Sequence, residues 1–237
     1  MPGPLRAPGR AARRGFFCRS NSLIYRPSIN DSYRNDWLST RTANRLERAL
    51  ARLSFREYAY RASVLRRAPK CEVHLPFDDG TVPVYRWGQS RKEYGTGLCF
   101  SEVPILDQLR RRLMSETGES PNHCIIIRYS DGQQHHAPPH RDRQTGIAGN
   151  GAHDMAANTS FFVVSVGYPR LFQLLDDRRA VVWEDRLVHG SLMRVTSDMN
   201  RLFWHAVPRD LKHPSDRPRY SAIFRTIQKS EAACLRR

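Results

Sequence analysis

Apolar and polar positions recur along this chain with two different periods, and the change of period divides it. Across residues 40–67, Leu46, Leu50 and Leu53 fall at i, i+4 and i+7, the stripe of an amphipathic helix. Arg41, Arg45, Arg48, Arg52 and Arg56 recur three or four residues apart on another face of the same cylinder. That row reads either as a solvated face or as a ridge that tracks phosphates. A second helix is predicted over Pro104–Thr117, with Pro at its first turn, Ile105, Leu109 and Leu113 as its apolar set, and Gly118 as its stop. Between the two helices lie β-type runs at Val73–Phe77, Val82–Trp87 and Leu98–Phe100. From residue 123 onward the helical period is gone. Short runs follow at Cys124–Tyr129, Ser160–Val166, Leu171–Leu175, Ala180–Trp183, Ser191–Val195, Phe203–Val207 and Ser221–Ile227, separated by Gly, Pro and Asp turns. Such spacing predicts a sandwich, jelly roll or barrel behind a helical and β front part, an α+β chain.

Composition narrows the partners. The 237 residues are 40% hydrophobic, enough to bury a core in one or two domains. Lys and Arg number 39 against 23 Asp and Glu, a formal charge of +16 that favours a polyanion such as nucleic acid. The charge is uneven: residues 1–115 hold +12 and residues 116–228 only +2. Arg outnumbers Lys 35 to 4, which suits phosphate and carboxylate forks and would equally follow from a GC-rich coding genome. No run approaches the roughly 20 apolar residues of a membrane span, so no membrane partner is expected. Cysteines at 18, 71, 99, 124 and 234, without a C-x-x-C, give neither a disulfide framework nor a thiolate zinc site. A reducing, intracellular location is expected, and nucleus and mitochondrion both suit the basic front end. Residues 1–35 carry seven Arg, one acid (Asp31) and prolines at 2, 4, 8 and 27, so they read as a disordered basic tail, a transit peptide or a nucleic-acid arm.

The candidate chemistry starts at Pro138-Pro139-His140-Arg141-Asp142. The prolines hold the chain extended, and residues i and i+2 of an extended segment project to one side. His140 and Asp142 can therefore face one ion with Arg141 turned away. His205 lies in the apolar run Leu202–Val207, where it is either a satisfied core histidine or a third ligand. Two imidazoles and one carboxylate leave open positions and suit non-haem Fe(II). In Arg219-Tyr220-Ser221-Ala222-Ile223-Phe224-Arg225, two guanidinium groups share one strand face. Burying both requires anions, supplied by a small dicarboxylic acid or by protein acids such as Asp142 or Asp198.

In this order, His140-x-Asp142, His205 and R-Y-x-x-x-F-R resemble the AlkB-type family of 2-oxoglutarate/Fe(II)-dependent dioxygenases. Arg128-Tyr129-Ser130-Asp131-Gly132, Ser165-Val166-Gly167-x-x-Arg170-x-Phe172 and His189-Gly190-Ser191-Leu192 add to the likeness, which covers about residues 80–228. The resemblance implies a double-stranded β-helix (jelly roll) preceded by a nucleotide-recognition part. Its divisions would be a tail over 1–35, a helical and β recognition region over 36–118, a dioxygenase core over 119–228 and a short tail over 229–237.

It also implies the chemistry: Fe(II), with 2-oxoglutarate and O2 as co-substrates, used to demethylate N-alkylated bases in DNA or RNA with release of formaldehyde, succinate and CO2. His140, Asp142 and His205 would bind the metal. Arg219, helped by the Tyr129 hydroxyl and the polar Ser221, would hold 2-oxoglutarate, and Arg225 would orient Asp142. Trp87 or Tyr85 would stack on the extruded base opposite His140, with a core aromatic of the recognition part as the other role for Trp87. Gln144 stands where the family has a base-reading acid, and Ile127 where it often has Asn. Arg41, Arg45, Arg48 and Arg52 would track the nucleic-acid backbone. A monomer is expected. The competing expectations are a dioxygenase acting on a protein or small molecule, and a non-catalytic nucleic-acid-binding jelly roll.

Overall fold

The computed structural model describes residues 29–56, 68–83, 85, 97–134, 139–145, 148–149, 154–214 and 216–229. A short turn of 3-10 helix at Ile29–Ser32 leads into β1 (Tyr33–Arg34), which pairs antiparallel with β10 (Ser191–Val195). The end of the expected tail is thus an edge strand of the sheet, while residues 1–28 lie outside the described residues.

Helix α1 (Thr40–Ala51) starts where Ser39 accepts a hydrogen bond from the Thr42 N–H, at 3.3 Å. It buries Ala43, Leu46 and Leu50 and ends sixteen residues short of the predicted limit at 67. The reason is tertiary. Arg56 exchanges two backbone hydrogen bonds of 2.9 Å with Lys70, and Phe55 packs on Tyr220 beneath the Arg128 guanidinium. An available strand edge outbids another helical turn. Residues 57–67 lie outside the described residues.

The next elements are β2 (Lys70–His74), β3 (Leu98–Cys99) and α2 (Pro104–Thr117), whose C-terminus closes on Gly118 at φ 72°. Only a glycine adopts that left-handed turn without steric cost. Then follow β4 (His123–Tyr129), the two-residue pair β5 (Gln144–Thr145) and β6 (Ala148–Gly149), β7 (Phe161–Gly167), β8 (Arg170–Leu175), β9 (Val181–Leu187) and β10. A short helix α3 (Ser197–Leu202), β11 (Trp204–Ala206) and β12 (Arg219–Arg225) complete the chain. The sequence pattern anticipated α2 and most of the strands, but not β1, β5, β6 or α3.

A seven-stranded sheet in the order β1-β10-β7-β12-β4-β2-β3 lies against a three-stranded sheet β11-β8-β9. Strand β12 shows the layering by period-2 alternation. Tyr220, Ala222 and Phe224 join Leu46, Leu50, Leu106 and Leu113 in the core beneath α1 and α2. Ile223 joins Phe161, Val163, Phe172 and Leu174 in the core between the sheets. This is the expected α+β architecture with its jelly-roll core. The boundary drawn at 118/119 falls inside one continuous core, because α1, α2 and β2 pack on the same sheet as β4, β7 and β12. Gly167 permits the β7–β8 connection: at φ 88°, any Cβ there would stand 2.2 Å from the Pro218 carbonyl oxygen. Among the described residues, no helix is long and apolar enough to cross a membrane.

Candidate metal and co-substrate site

Three side chains converge at one end of the space between the sheets. His140 and His205 exchange backbone hydrogen bonds of 3.1 and 2.8 Å, so an antiparallel bridge sets their rings side by side with centroids 4.3 Å apart. Asp142 follows two residues later on the same side, its Oδ1 3.7 Å from His140 Nε2. One donor atom from each of the three lies within 4.8 Å of the others. His140 is partly exposed, whereas Asp142 and His205 are buried.

The carboxylate is held from two directions. Arg225 grips Asp142 Oδ2 through Nε at 2.8 Å and Nη2 at 2.7 Å, which leaves Oδ1 turned to the imidazoles. Asn200, buried on α3, locks the Asp142 backbone by accepting from its N–H and donating to its C=O, both at 2.9 Å. Burial alone would raise the Asp142 pKa, but the Arg225 guanidinium and the two imidazoles pull it down to about 2. Burial, reinforced by His140, pushes His205 down to about 3, so it is a neutral donor at physiological pH. An anionic oxygen beside two imidazoles suits a divalent transition metal.

The second arginine of β12 meets a different environment. Arg219 is fully buried and donates from Nη2 to Ser165 Oγ at 2.9 Å, while its Nε and Nη1 have no hydrogen-bond partner. It lies over the Tyr129 ring, 5.1 Å from the centroid, directly across the β12–β4 ladder. Burial lowers its pKa to about 10, with partial relief from Tyr129, so the group stays cationic. A buried cation with two unmet donors is costly unless an anion meets it. Between the protein acids and a small diacid as partners for the two arginines, Asp142 takes Arg225, and no acid among the described residues takes Arg219. Ser221 lies between them on the same face, and Ile127 opposite it adds an apolar floor where the family often has Asn.

Several expected substrate residues stand elsewhere. Tyr85 is buried in the wall behind the metal ligands; its hydroxyl accepts from the Arg143 N–H at 2.8 Å and its ring lies under Arg225, so it has no free face for a base. Gln144 is fully buried: its Nε2 donates to the carbonyls of Ala156 and Thr159 at 2.7 and 2.8 Å, and its Oε1 accepts from Ser197 Oγ. It ties a loop rather than facing a ligand. Arg41, Arg45, Arg48 and Arg52 are exposed on α1, which packs on the sheet face opposite the one that carries Arg219 and Arg225. Trp87 lies outside the described residues.

Sequence reasoning assigned no role to Asn200, although Thr196 capping the Met199 N–H at 3.2 Å, with Asp198 in the first turn, is a helix-start signal that could have found α3. It gave none to Arg170 either. That buried guanidinium donates to the carbonyls of Asp131, Gln134 and Pro208 and pins the two loops at the Tyr129 end of the site.

The family model of the 2OG-Fe(II) oxygenase superfamily matches residues 31–230. Among curated proteins, the DNA oxidative demethylase ALKBH2 of Bos taurus is 31% identical over 133 residues, which is 53% of this chain and 44% of that protein. Those of Mus musculus and Homo sapiens are 30% and 29% identical over 133 residues, covering 53% of this chain and 51% and 47% of their own lengths. The chain therefore spans about half the length of the curated relatives it matches. A solved structure of OsALKBH1 covers 82% of this chain and 98% of its own, with a TM-score of 0.48 and 14% identity.

Proposed function

The chain belongs to the 2OG-Fe(II) oxygenase superfamily, and from that premise we propose that it oxidatively removes N-alkyl groups from nucleic-acid bases. The observation that carries the reading is the pairing of two features: a two-imidazole, one-carboxylate set, and a buried arginine whose Nε and Nη1 find no hydrogen-bond partner among the described residues. The relatives' description as DNA oxidative demethylases and the +16 charge support the nucleic-acid substrate.

In this reading His140, Asp142 and His205 would hold Fe(II). Fe(II) with 2-oxoglutarate and O2 supplies the oxidation, which yields succinate and CO2 and releases a methyl carbon as formaldehyde. Arg219, fixed by its hydrogen bond to Ser165, would hold a carboxylate of 2-oxoglutarate, with Tyr129 and Ser221 beside it. Arg225 occupies Asp142 Oδ2, so only Oδ1 is free to ligate and the carboxylate cannot swing into the co-substrate's place. Phe161 and Phe172 pack on His205 and keep water from its buried side. A base stacked in a duplex cannot reach a metal between two sheets, so the substrate base is extruded or already single-stranded.

The test is formaldehyde and succinate release from methyl-base DNA and RNA oligonucleotides with Fe(II) and 2-oxoglutarate. Both products from an oligonucleotide support the reading. Succinate with formaldehyde only from peptides or small molecules replaces the substrate, and no succinate with any substrate leaves a non-catalytic jelly roll.

A further inference from the structure

A second group of metal-type donors lies away from the first. Glu72 and His74 are two residues apart on β2 and so share one face, and His74 stands directly opposite His123 in the β2–β4 ladder. All three are buried, both histidines completely. Glu72 Oε2 lies 3.6 Å from His74 Nε2 and 3.5 Å from His123 Nε2, and one donor atom of each falls within 4.8 Å of the others. Ligand atoms at the corners of a tetrahedron around Zn(II), with bonds of about 2.0–2.2 Å, are about 3.3–3.6 Å apart. Among the described residues, the buried His123 makes no well-formed hydrogen bond through either ring nitrogen, and its Nε2 has only the long 3.5 Å contact with Glu72, a costly state for an imidazole without a ligand. Gly97 packs directly against the cluster: a Cβ there would lie 2.4 Å from His74 Nε2.

We propose that Glu72, His74 and His123 bind a second divalent metal ion, of the Zn(II) class, that clamps β2 to β4. Three protein donors leave a fourth position for water, while their placement at the paired ends of β2 and β4, closed to solvent, suits an ion that ties the two strands together. His123 is also the ladder partner of Arg225, whose guanidinium holds Asp142. A clamp at β4 therefore steadies the strand next to the one that positions the Fe(II) ligand.

The test uses the full chain, stripped of metal, loaded with Zn(II) or Co(II), desalted and analysed for bound metal. The wild type is expected to retain about two equivalents and a His140→Ala/Asp142→Ala variant about one, with the visible bands of tetrahedral Co(II). Adding His123→Phe to that variant should remove the remaining ion, and adding Glu72→Gln should weaken it and abolish the rise in Tm that Zn(II) gives. If the His140→Ala/Asp142→Ala variant retains no metal, or His123→Phe keeps its ion, the clamp is wrong. If His123→Phe fails to fold, the Glu72→Gln titration and the stoichiometry of the first variant decide. A wild type that retains one equivalent, undiminished in the His140→Ala/Asp142→Ala variant, would instead count against the Fe(II) ligands and leave the clamp standing.

Discussion

Two sets of two imidazoles and one carboxylate line the space between the sheets, one on β11 and a neighbouring loop and the other on β2 and β4, and they differ in exposure and surroundings. His140, Asp142 and His205 come from an extended loop and a three-residue strand, and His140 keeps 27% of its side chain exposed. Glu72, His74 and His123 come from one end of two paired strands, where the last residue of β2 faces the first of β4, and are closed to solvent. The first set has an arginine and an asparagine that fix its carboxylate, and, within the same layer, a buried guanidinium without an acid. The second set has a glycine packed against it. On the proposed assignments, the same donors would serve open coordination in one place and strand cross-linking in the other, with the surrounding residues making the distinction.

The sharpest way to break this contrast is to remove the open set's carboxylate. Asp142→Ala should cut product formation by at least about 10³-fold, since the metal supplies several kcal/mol of the catalytic stabilisation, while far-UV circular dichroism stays native. Turnover that survives would end the metal assignment.

Next in size, Arg219→Met should raise the KM for 2-oxoglutarate by about 10–100-fold, the worth of charge-assisted hydrogen bonds of about 1.5–3 kcal/mol. Fe(II) affinity without co-substrate should be unchanged, and steady-state kinetics beside metal titration separates the two.

Asn200→Ala leaves the Asp142 backbone unpinned and should weaken Fe(II) binding by about 10–100-fold, with the Glu72 set unaffected. Equal loss at both sets would mean that Asn200 supports the fold rather than one ligand.

Gln144→Ala should lower stability by about 1–3 kcal/mol in urea unfolding, because buried carbonyls lose their donor. The order of preference among methylated bases should not move; a changed order would restore Gln144 as a base reader.

The smallest effect is expected from Arg41→Glu with Arg48→Glu, on the far side of the sheet. The salt dependence of binding a short oligonucleotide should change in slope by less than about one unit, and a larger change would make α1 part of the nucleic-acid track.

Much of the open set was legible because its signal is local. Pro138-Pro139 forces extension, His140 and Asp142 fall two apart, and Arg219 and Arg225 share the parity of one strand. Alternation alone assigns such residues to a face. The closed set was not legible, since Glu72-x-His74 is unremarkable until β4 is known to lie beside β2 with His123 opposite His74. Gln144 and Tyr85 were misread for a related reason. Their positions relative to the H-x-D motif and the recognition part suggested ligand contact, but whether a polar side chain faces a ligand or a loop carbonyl depends on partners distant in the chain.

By itself, the sequence determined the periods: helix α2 with its glycine stop, the short strands, the faces of β12, and the donor types available to an ion. Those features follow from backbone geometry and side-chain chemistry within a few residues. Only the tertiary structure decided where α1 ends, that Arg219 meets no acid among the described residues while Arg225 grips Asp142 through Nε and Nη2, and that His123 stands against Glu72 and His74. Each of those outcomes depends on strand pairing and on a desolvation cost that exists only once distant segments are packed together.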